Sequence, residues 1–203
     1  MKQLVLATCN QDKVQEFKAL FRDLKIELIT LDQFPQVGTI VEDERTLEGN
    51  ALKKARVVFQ STRIPVLADD SGLEVHYLYG EPGVFSSRYA GEKATYADNR
   101  KKLLESLRGV PPRRRGARFR CVLAFVAPKN VEHLIEGCCT GVIVENPRGH
   151  NGFGYDPVFV PTGYEKTFAE MEENLKNSLS HRGRASEKMR PILERFFVES
   201  GDS

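Results

Sequence analysis

The first residues that could carry chemistry form a polar string, Thr8-Cys9-Asn10-Gln11-Asp12-Lys13, between the apolar run Leu4–Ala7 and a helical pattern. The first backbone N–H groups of a helix have no partner within the helix and attract anions. Lys13 adds a positive charge where the helix dipole already favours a negative ligand. The string therefore predicts a phosphate site. The alternative is a plain strand-to-helix turn capped by Asp12, with Gln15 at the capping-box spacing.

A carboxylate pair, Asp69-Asp70, stands before Ser71-Gly72 and after the short apolar run Pro65–Ala68. We interpret the run as a short strand that ends at the pair, a place where carboxylates often hold a hard divalent cation. The alternative is a turn, which Asp and Ser also favour. Neighbouring residues of a strand point to opposite faces, so one of the two carboxylates is expected to face a site.

Three further acidic residues precede the predicted helix that starts near Thr46, and a fourth lies within it. The run Val41-Glu42-Asp43-Glu44 comes first and Glu48 follows. By themselves these residues are typical of a solvated helix N-terminus, where acidic side chains are stabilised by the dipole.

The segment from Arg148 to Pro157 is a stronger candidate for ligand binding. It contains three glycines within six residues, and glycine lets a backbone approach a ligand closely. Phe153 and Tyr155 offer flat surfaces for a base or a sugar, with Gly154 between them. Asp156 adds an acceptor for ring or exocyclic N–H groups.

A last cluster combines Lys176 with Ser180-His181-Arg182, just before a helical pattern. Cations and a histidine at this spacing suit a phosphate or a purine carbonyl. The alternative is a basic helix surface, which is the simpler interpretation of Lys176 alone. The run Arg113-Arg114-Arg115 lies beside two prolines without interleaved aromatic residues, so we interpret it as a solvated loop rather than a nucleic-acid site.

Strand and helix patterns alternate through the first third of the chain, which predicts an α/β fold. Thr95–Leu107 is predicted as a helix with a capping box between Thr95 and Asp98. The runs Phe119–Ala127 and Leu134–Val144 are predicted to form an antiparallel pair. A helix is predicted at the end of the chain. The apolar stripes of the predicted helices are Val14, Phe17, Leu20, Phe21 and Leu24; Leu47, Ala51, Ala55, Val58 and Phe59; and Met189, Ile192, Leu193, Phe196 and Phe197.

The composition narrows the class of protein. The 203 residues are 40% hydrophobic and 29% charged, as in a globular protein, and the formal net charge is only +2. A protein built to coat nucleic acid shows a larger basic excess, so no nucleic-acid partner is expected. The chain has neither about 18 consecutive apolar residues nor a secretion signal, so we expect no membrane partner and a cytoplasmic location.

Taken together, these strings resemble the inosine triphosphate pyrophosphatase family, which hydrolyses non-canonical purine nucleoside triphosphates. The resemblance extends from Leu4 to about Phe196. Five motifs carry it in order: Thr8-Cys9-Asn10 with Lys13; Ala68-Asp69-Asp70-Ser71-Gly72; Pro82-Gly83 with Ser86-Ser87-Arg88-Tyr89; Gly152-Phe153-Gly154-Tyr155-Asp156-Pro157; and Lys176 with Ser180-His181-Arg182.

The resemblance implies a fold and a reaction. The fold is α/β, with a long central mixed β-sheet, helices, and two lobes flanking one nucleotide-binding cleft, so residues 1–203 form a single domain. The reaction converts ITP, dITP and XTP to the nucleoside monophosphate and pyrophosphate. It uses Mg²⁺, and the protein is expected to be a homodimer.

The resemblance also implies site residues. Asp70 matches the catalytic carboxylate, which acts as general base and metal contact, with Asp69 as its acidic neighbour and Glu42 as a second metal ligand. Lys13 assists catalysis at the phosphates. The implied substrate-binding residues are Thr8, Cys9, Asn10, Gln11, Asp12, Lys13, Ser71, Arg88, Phe153, Gly154, Tyr155, Asp156, Lys176, His181 and Arg182.

The chain departs from the family pattern at two positions. Cys9 stands where the family has glycine, and Gly49 stands where the family has glutamate, with Glu48 one position earlier. Three alternatives to the leading hypothesis are open. One is a Maf-like pyrophosphatase for modified pyrimidines, which the Gly152–Pro157 and His181-Arg182 strings disfavour. Another is a nucleotide-binding regulator without catalysis, which Asp69, Asp70 and Lys13 disfavour. The third is a nucleic-acid-binding module.

Overall fold

The structure is a computed structural model that describes residues 2–199. Their contacts divide them into two compact units. The first unit comprises residues 2–70, 121–137 and 184–199, and the second comprises residues 71–120 and 138–183. Each of the two sets of candidate residues described below lies within one unit.

Strands and helices alternate in the N-terminal third, as the hydrophobic pattern predicts. The strands are β1 (Lys2–Leu6), β2 (Ile26–Thr30), β3 (Val66–Val75), β4 (Gly116–Ala127), β5 (Val131–Ile143) and β6 (Phe159–Pro161). The helices are α1 (Gln11–Leu20), α2 (Leu47–Thr62), α3 (Tyr96–Ser106), α4 (Glu173–Leu179) and α5 (His181–Glu199). Short 3₁₀ turns lie in several of the connections.

The six strands form one mixed sheet in the order β2-β1-β3-β4-β5-β6. Strand β1 is parallel to both β2 and β3, and β5 is antiparallel to β6. Only three residues join the neighbouring strands β4 and β5, so these two strands form a hairpin. Lys129 and Asn130 in its turn have φ angles of 63° and 59°, the left-handed conformation that tight hairpins require. The mixed α/β sheet expected from the sequence is confirmed.

Each unit buries its own apolar cluster. In the first unit, α1 contributes Phe17, β4 contributes Phe125, and α5 contributes Met189 and Leu193. In the second unit, α3 contributes Leu103, and the rings of Phe119, Phe159 and Phe168 contact one another. These cores fix the helix ends and strands from which the candidate residues project. Within residues 2–199, no helix is long and apolar enough to cross a membrane.

Two interpretations of the sequence need correction. The strand that was expected to end at Asp69 continues to Val75, so the carboxylate pair lies in the middle of β3. Both carboxylates have cationic partners, and a buried strand tolerates charge under that condition. Arg115 is not in a solvated loop: it is buried, and its guanidinium donates to the carbonyl oxygens of Ile143, Leu107 and Val144. Three acceptors of this kind make burial of the charge tolerable.

Candidate active site

The loop between β1 and α1 is shaped by the side chains of its own residues. Asn10 is the helix N-cap, and its Oδ1 accepts the backbone N–H groups of Asp12 and Lys13 at 2.9 and 3.2 Å. The Thr8 Oγ1 accepts the N–H of Asn10 at 3.2 Å. The cap is therefore Asn10 and not Asp12, because the helix begins at Gln11, two residues earlier than a cap at Asp12 would require. A phosphate at this helix end would share these N–H donors with Asn10.

Cys9 and Gln11 lie at the outside of the same loop. Both are exposed, and with Thr8 they line a cavity of about 220 Å³ whose other wall is formed by residues 30–38. The residue that replaces the expected glycine at position 9 therefore lines a cavity, while Asn10 and Thr8 supply the side chains of the helix cap.

Lys13 is held by the first carboxylate of the pair. Its Nζ lies 2.8 Å from the Asp69 Oδ2. The Asp69 side chain is fully buried, whereas that of Lys13 retains 16% exposure. Asp69 thus fixes the ammonium group of Lys13 while leaving it accessible to a ligand.

The second carboxylate, Asp70, receives its partners from helix α2. The Asn50 Nδ2 donates to the Asp70 Oδ2 at 3.0 Å, and the Lys54 Nζ lies 3.8 Å from the Asp70 Oδ1. The same Nζ is 2.5 Å from the Glu42 Oε1. Asn50 and Lys54 are four residues apart and so occupy the same face of the helix. We call Lys13, Glu42, Asn50, Lys54, Asp69 and Asp70 the carboxylate–lysine cluster.

Burial and charge compete in this cluster. Burial raises the pKa of Asp70, and the repulsion from Glu42 adds to this effect, against the opposing attraction of Lys54 and Lys13. Burial alone would lower the pKa of Lys54, but the negative charges of Asp70, Asp69 and Glu42 raise it overall. Lys54 is therefore protonated at neutral pH, and Asp70 is a stronger base than an exposed aspartate.

The donor set of the cluster suits a divalent cation. Glu42 and Asp70 bring two carboxylates to one ammonium group, so an added divalent cation would find two hard oxygen ligands. No group of three or more His, Cys, Asp or Glu side chains within residues 2–199 could hold a metal ion. Mg²⁺ usually binds through one or two carboxylates together with substrate phosphates and waters, so two carboxylates fit Mg²⁺ better than an ion that needs an all-protein cage.

Gly49 lies where helix α2 meets the acidic loop. Its N–H donates to the Oγ1 of the N-cap Thr46, and a Cβ at position 49 would lie 2.9 Å from the Glu44 Cβ. The backbone N–H of Glu44 is in turn bound by the Asn50 Oδ1 at 3.0 Å. Glycine at this position therefore lets the loop that carries Glu42 pack closely against α2.

A second set of candidate residues meets around Phe153 in the second unit. The Lys176 Nζ is 2.6 Å from the Asp156 Oδ2, and both side chains are buried. The same Asp156 oxygen accepts the Phe153 N–H at 2.9 Å. Gly152 has a φ of +70°, and a Cβ there would lie 2.1 Å from the Asp156 oxygen. Glycine at 152 is thus needed both for its conformation and for the approach of the ion pair.

Two cations adjoin the Phe153 ring. The Lys176 Nζ and the Arg182 Cζ are 5.2 and 5.6 Å from its centroid. The Arg182 Nη2 also contacts the Ser71 Oγ at 3.2 Å. The neighbouring His181 is buried and stacks on the Phe119 ring at 4.6 Å. We call Phe153, Asp156, Lys176 and Arg182 the aromatic–cation cluster.

Two of the residues expected in this region differ from their expectations. Lys176 is not a surface lysine: it is buried on α4 because Asp156 compensates its charge. Tyr155 does not present its ring to a ligand, since it is buried and donates its hydroxyl to the Ser86 carbonyl. Burial raises the pKa of the Tyr155 hydroxyl. Arg88 contacts the Phe85 ring and Glu92.

Asn50 and Lys54 were missed as site residues in the sequence. A signal exists, because both interrupt the apolar face of α2 at a spacing of four residues, next to Leu47, Ala51 and Val58. Polar residues on the buried face of a helix need partners, so their spacing could have pointed to buried carboxylates.

The mixed sheet defines an α/β protein. Its carboxylate–lysine cluster has acidic and cationic groups suited to a metal–phosphate ligand. Its aromatic–cation cluster suits a flat polar ring. Residues 4–192 match the family model described as the Ham1 family. The chain belongs to this family, which confirms the resemblance found in the sequence.

Relatives and solved structures agree with that assignment. A dITP/XTP pyrophosphatase from Desulforamulus reducens is 45% identical over 97% of this chain and 98% of its own length. Another, from Geobacter sulfurreducens, is 46% identical over 91% of this chain and 93% of its own length. The structure of a HAM1 protein from Coxiella burnetii superposes with a TM-score of 0.86 at 42% identity, covering 96% of this chain and all of that chain.

Proposed function

We propose that this protein hydrolyses the non-canonical purine nucleoside triphosphates dITP, XTP and ITP to the nucleoside monophosphate and pyrophosphate. The observation that carries the proposal is the presence of both clusters in a member of the Ham1 family. Relatives that match nearly the full chain are named dITP/XTP pyrophosphatases.

The carboxylate–lysine cluster supplies the groups for phosphoanhydride hydrolysis. Asp70 is the general base: Asn50 holds its Oδ2, and burial raises its pKa toward the range in which a carboxylate accepts a proton from water. Lys13, held by Asp69, stabilises the negative charge that gathers on the departing pyrophosphate. Thr8, Asn10 and the neighbouring residues of the β1–α1 loop contact the phosphates.

Asp70 and Glu42 are the residues that would hold Mg²⁺. When bound, Mg²⁺ neutralises phosphate oxygens and so assists attack at phosphorus. Lys54, which contacts both carboxylates, keeps them close together before a cation arrives.

The aromatic–cation cluster recognises the base. Phe153 stacks on the purine, and cationic donors from Arg182 and Lys176 suit the O6 acceptor of hypoxanthine or xanthine. Adenine carries a 6-amino donor at that position, so it would leave buried donors unpaired and be rejected. Asp156 accepts hydrogen bonds from the Phe153 N–H and the Lys176 ammonium group, and so holds both in place. Guanine shares O6, so its rejection must come from contacts at its 2-position.

We extend the proposal to the setting in which the enzyme works. The resemblance to the family suggests a homodimer. The nucleotide pool on which the enzyme would act lies in the cytoplasm, and we place the protein there.

The test is the release of pyrophosphate from ITP, XTP, GTP and ATP, each with Mg²⁺ and with EDTA. We expect Mg²⁺-dependent release from ITP and XTP, and little release from GTP or ATP. Nucleotide binding without release from any of the four would contradict the proposal and support a binding protein. Equal release from all four would contradict the base recognition alone.

A further inference from the structure

The backbone of the loop that carries Phe153 is held by Asp156, whose Oδ2 accepts the Phe153 N–H at 2.9 Å. Phe153 lies between Gly152 and Gly154, whose φ angles are +70° and +59°. A Cβ at position 154 would meet no atom within 4 Å, so packing at that residue does not hold the loop. The contact with Asp156 holds the backbone and not the ring, and the glycines on either side bring no side chain against it, so the orientation of the Phe153 ring depends on contacts from other elements.

Helix α3 provides two such contacts outside the aromatic–cation cluster. The Arg100 Nη1 donates to the Gly154 carbonyl oxygen at 2.7 Å. The Tyr96 ring lies 5.8 Å from the Phe153 ring, with an interplanar angle of 41°. This separation is within the range of favourable aromatic pairs. Tyr96 and Arg100 are four residues apart, so one face of α3 holds both the ring and the backbone that follows it.

Helix α3 is itself well fixed. Its N-terminus has a capping box between Thr95 and Asp98. On another face the buried Asn99 accepts the Ala90 N–H at 2.8 Å and donates to the Ser87 carbonyl oxygen at 2.9 Å. Tyr96 and Arg100 therefore extend from a well-fixed helix toward the loop that carries Phe153.

We propose that Tyr96 and Arg100 are positioning residues for purine recognition, which act by holding Phe153 in the orientation that stacks on the base. This inference rests on the proposed role of Phe153 in base binding. Nucleotide affinity has a contribution from the base and a contribution from the phosphates. Tyr96 and Arg100 contribute to the binding of the base and not to the binding of the phosphates. They have no part in the chemical step.

The experiment compares a ligand that carries the base with one that does not. The affinities for IMP and for pyrophosphate are measured by calorimetry, beside kcat and KM for ITP. We expect Tyr96→Ala and Arg100→Ala each to weaken IMP about 3- to 10-fold, from the loss of an aromatic pair or a charge-assisted hydrogen bond. Pyrophosphate affinity and kcat stay at the wild-type value, and Tyr96→Phe restores IMP affinity.

A matched control is available in the same unit. Tyr77 is 38% exposed, as is Tyr96, but its ring contacts Arg114. Tyr77→Ala should leave the affinity for IMP unchanged. Equal losses of IMP and pyrophosphate affinity in Tyr96→Ala would indicate general damage to the fold and would overturn the inference, as would no loss at all.

A double-mutant cycle with Phe153 tests whether Tyr96 affects IMP affinity through the Phe153 ring. If Tyr96 acts through Phe153, then Tyr96→Ala has no further effect on IMP affinity in a Phe153→Ala background. Full additivity would overturn the inference. If Phe153→Ala itself leaves IMP affinity unchanged, the proposed base site is wrong and the inference fails with it. If Phe153→Ala weakens IMP but the α3 variants do not, only the inference fails.

Discussion

The carboxylate–lysine cluster and the aromatic–cation cluster both bury charge, but with opposite balance. In the first, three carboxylates (Glu42, Asp69 and Asp70) face two ammonium groups, which leaves a net charge of −1. The second contains one carboxylate, Asp156, and two cations, Lys176 and Arg182, which leaves a net charge of +1. A negative excess suits a divalent cation, and a positive excess suits a carbonyl oxygen. The difference supports the proposed division of tasks, in which the first cluster acts at the phosphates and the second recognises the base.

The two clusters also differ in how their residues are held. Apart from Glu42, which lies in a loop, the first is built on regular elements, because Lys13 lies in α1, Asn50 and Lys54 in α2, and the aspartates in β3. The second depends on a glycine-containing loop and on the short helix α4. We therefore expect substitutions in the first cluster to affect chemistry most, and those in the second to affect base selection and local stability.

The largest expected effect is on turnover. Asp70→Asn keeps the shape of the side chain but removes the proton acceptor, so kcat for ITP should fall by about 10²- to 10⁴-fold while nucleotide binding is retained. Pyrophosphate release and ITP binding are measured in parallel. Asp43→Asn, which changes an exposed carboxylate in the neighbouring loop, serves as the control. Turnover of Asp70→Asn at the wild-type rate would refute the role of Asp70.

The next effect is on stability, and it concerns the second cluster. Lys176→Met leaves the buried Asp156 carboxylate without its ion-pair partner, which should cost about 3–5 kcal/mol of the free energy of unfolding. Denaturant unfolding measures the loss. Lys53→Met removes an ion pair with the exposed Asp43 and should leave the unfolding midpoint near that of the wild type. Similar midpoints for both variants would show that the Lys176–Asp156 pair is not buried in solution.

A smaller effect concerns pH. Burial raises the pKa of Asp70 above its ordinary value of 3.8, so the folded protein binds this proton more tightly than the unfolded chain. The contribution of Asp70 to stability is thus greatest at low pH and is lost as pH rises through the raised pKa. Without divalent metal, Asp70→Asn should be more stable than the wild type at neutral pH, and the difference should vanish at low pH. A constant difference at all pH values would contradict this linkage.

The smallest effect is expected at Cys9. Its side chain is exposed, and the helix cap is made by Asn10 and Thr8. Cys9→Gly introduces the glycine that the resemblance leads us to expect and should change the free energy of unfolding by less than about 0.5 kcal/mol. Because the exposed Cys9 side chain takes no part in the helix cap, the KM for ITP should also stay within about twofold of the wild-type value. A much larger improvement in KM would show that Cys9 obstructs the phosphates.

The sequence predicts much of this arrangement because many of its signals are local. The apolar stripes place α1 and α2 correctly, and the Thr95–Asp98 spacing identifies the capping box of α3. The short turn at Pro128–Asn130 correctly separates the hairpin strands β4 and β5. Each of these features depends on residues within one element.

The errors concern residues whose environment depends on distant partners. β3 continues through Asp69 and Asp70 because Lys13 and Lys54, from other elements, compensate the carboxylates. Arg115 is buried because carbonyl groups far along the chain accept its hydrogen bonds. Sequence periodicity does not identify such partners. Lys54 was missed for the same reason, because its partners Glu42 and Asp70 come from other elements.

The division of tasks between the clusters is tested most directly by one ratio, that of kcat/KM for ITP to kcat/KM for ATP. It is measured for the wild type, Lys13→Ala and Arg182→Ala. We predict that Lys13→Ala lowers both values and leaves the ratio unchanged. Arg182→Ala should reduce the ratio by about tenfold or more, because a charged donor at O6 is lost. An unchanged ratio in Arg182→Ala, or a reduced ratio in Lys13→Ala, would contradict the account.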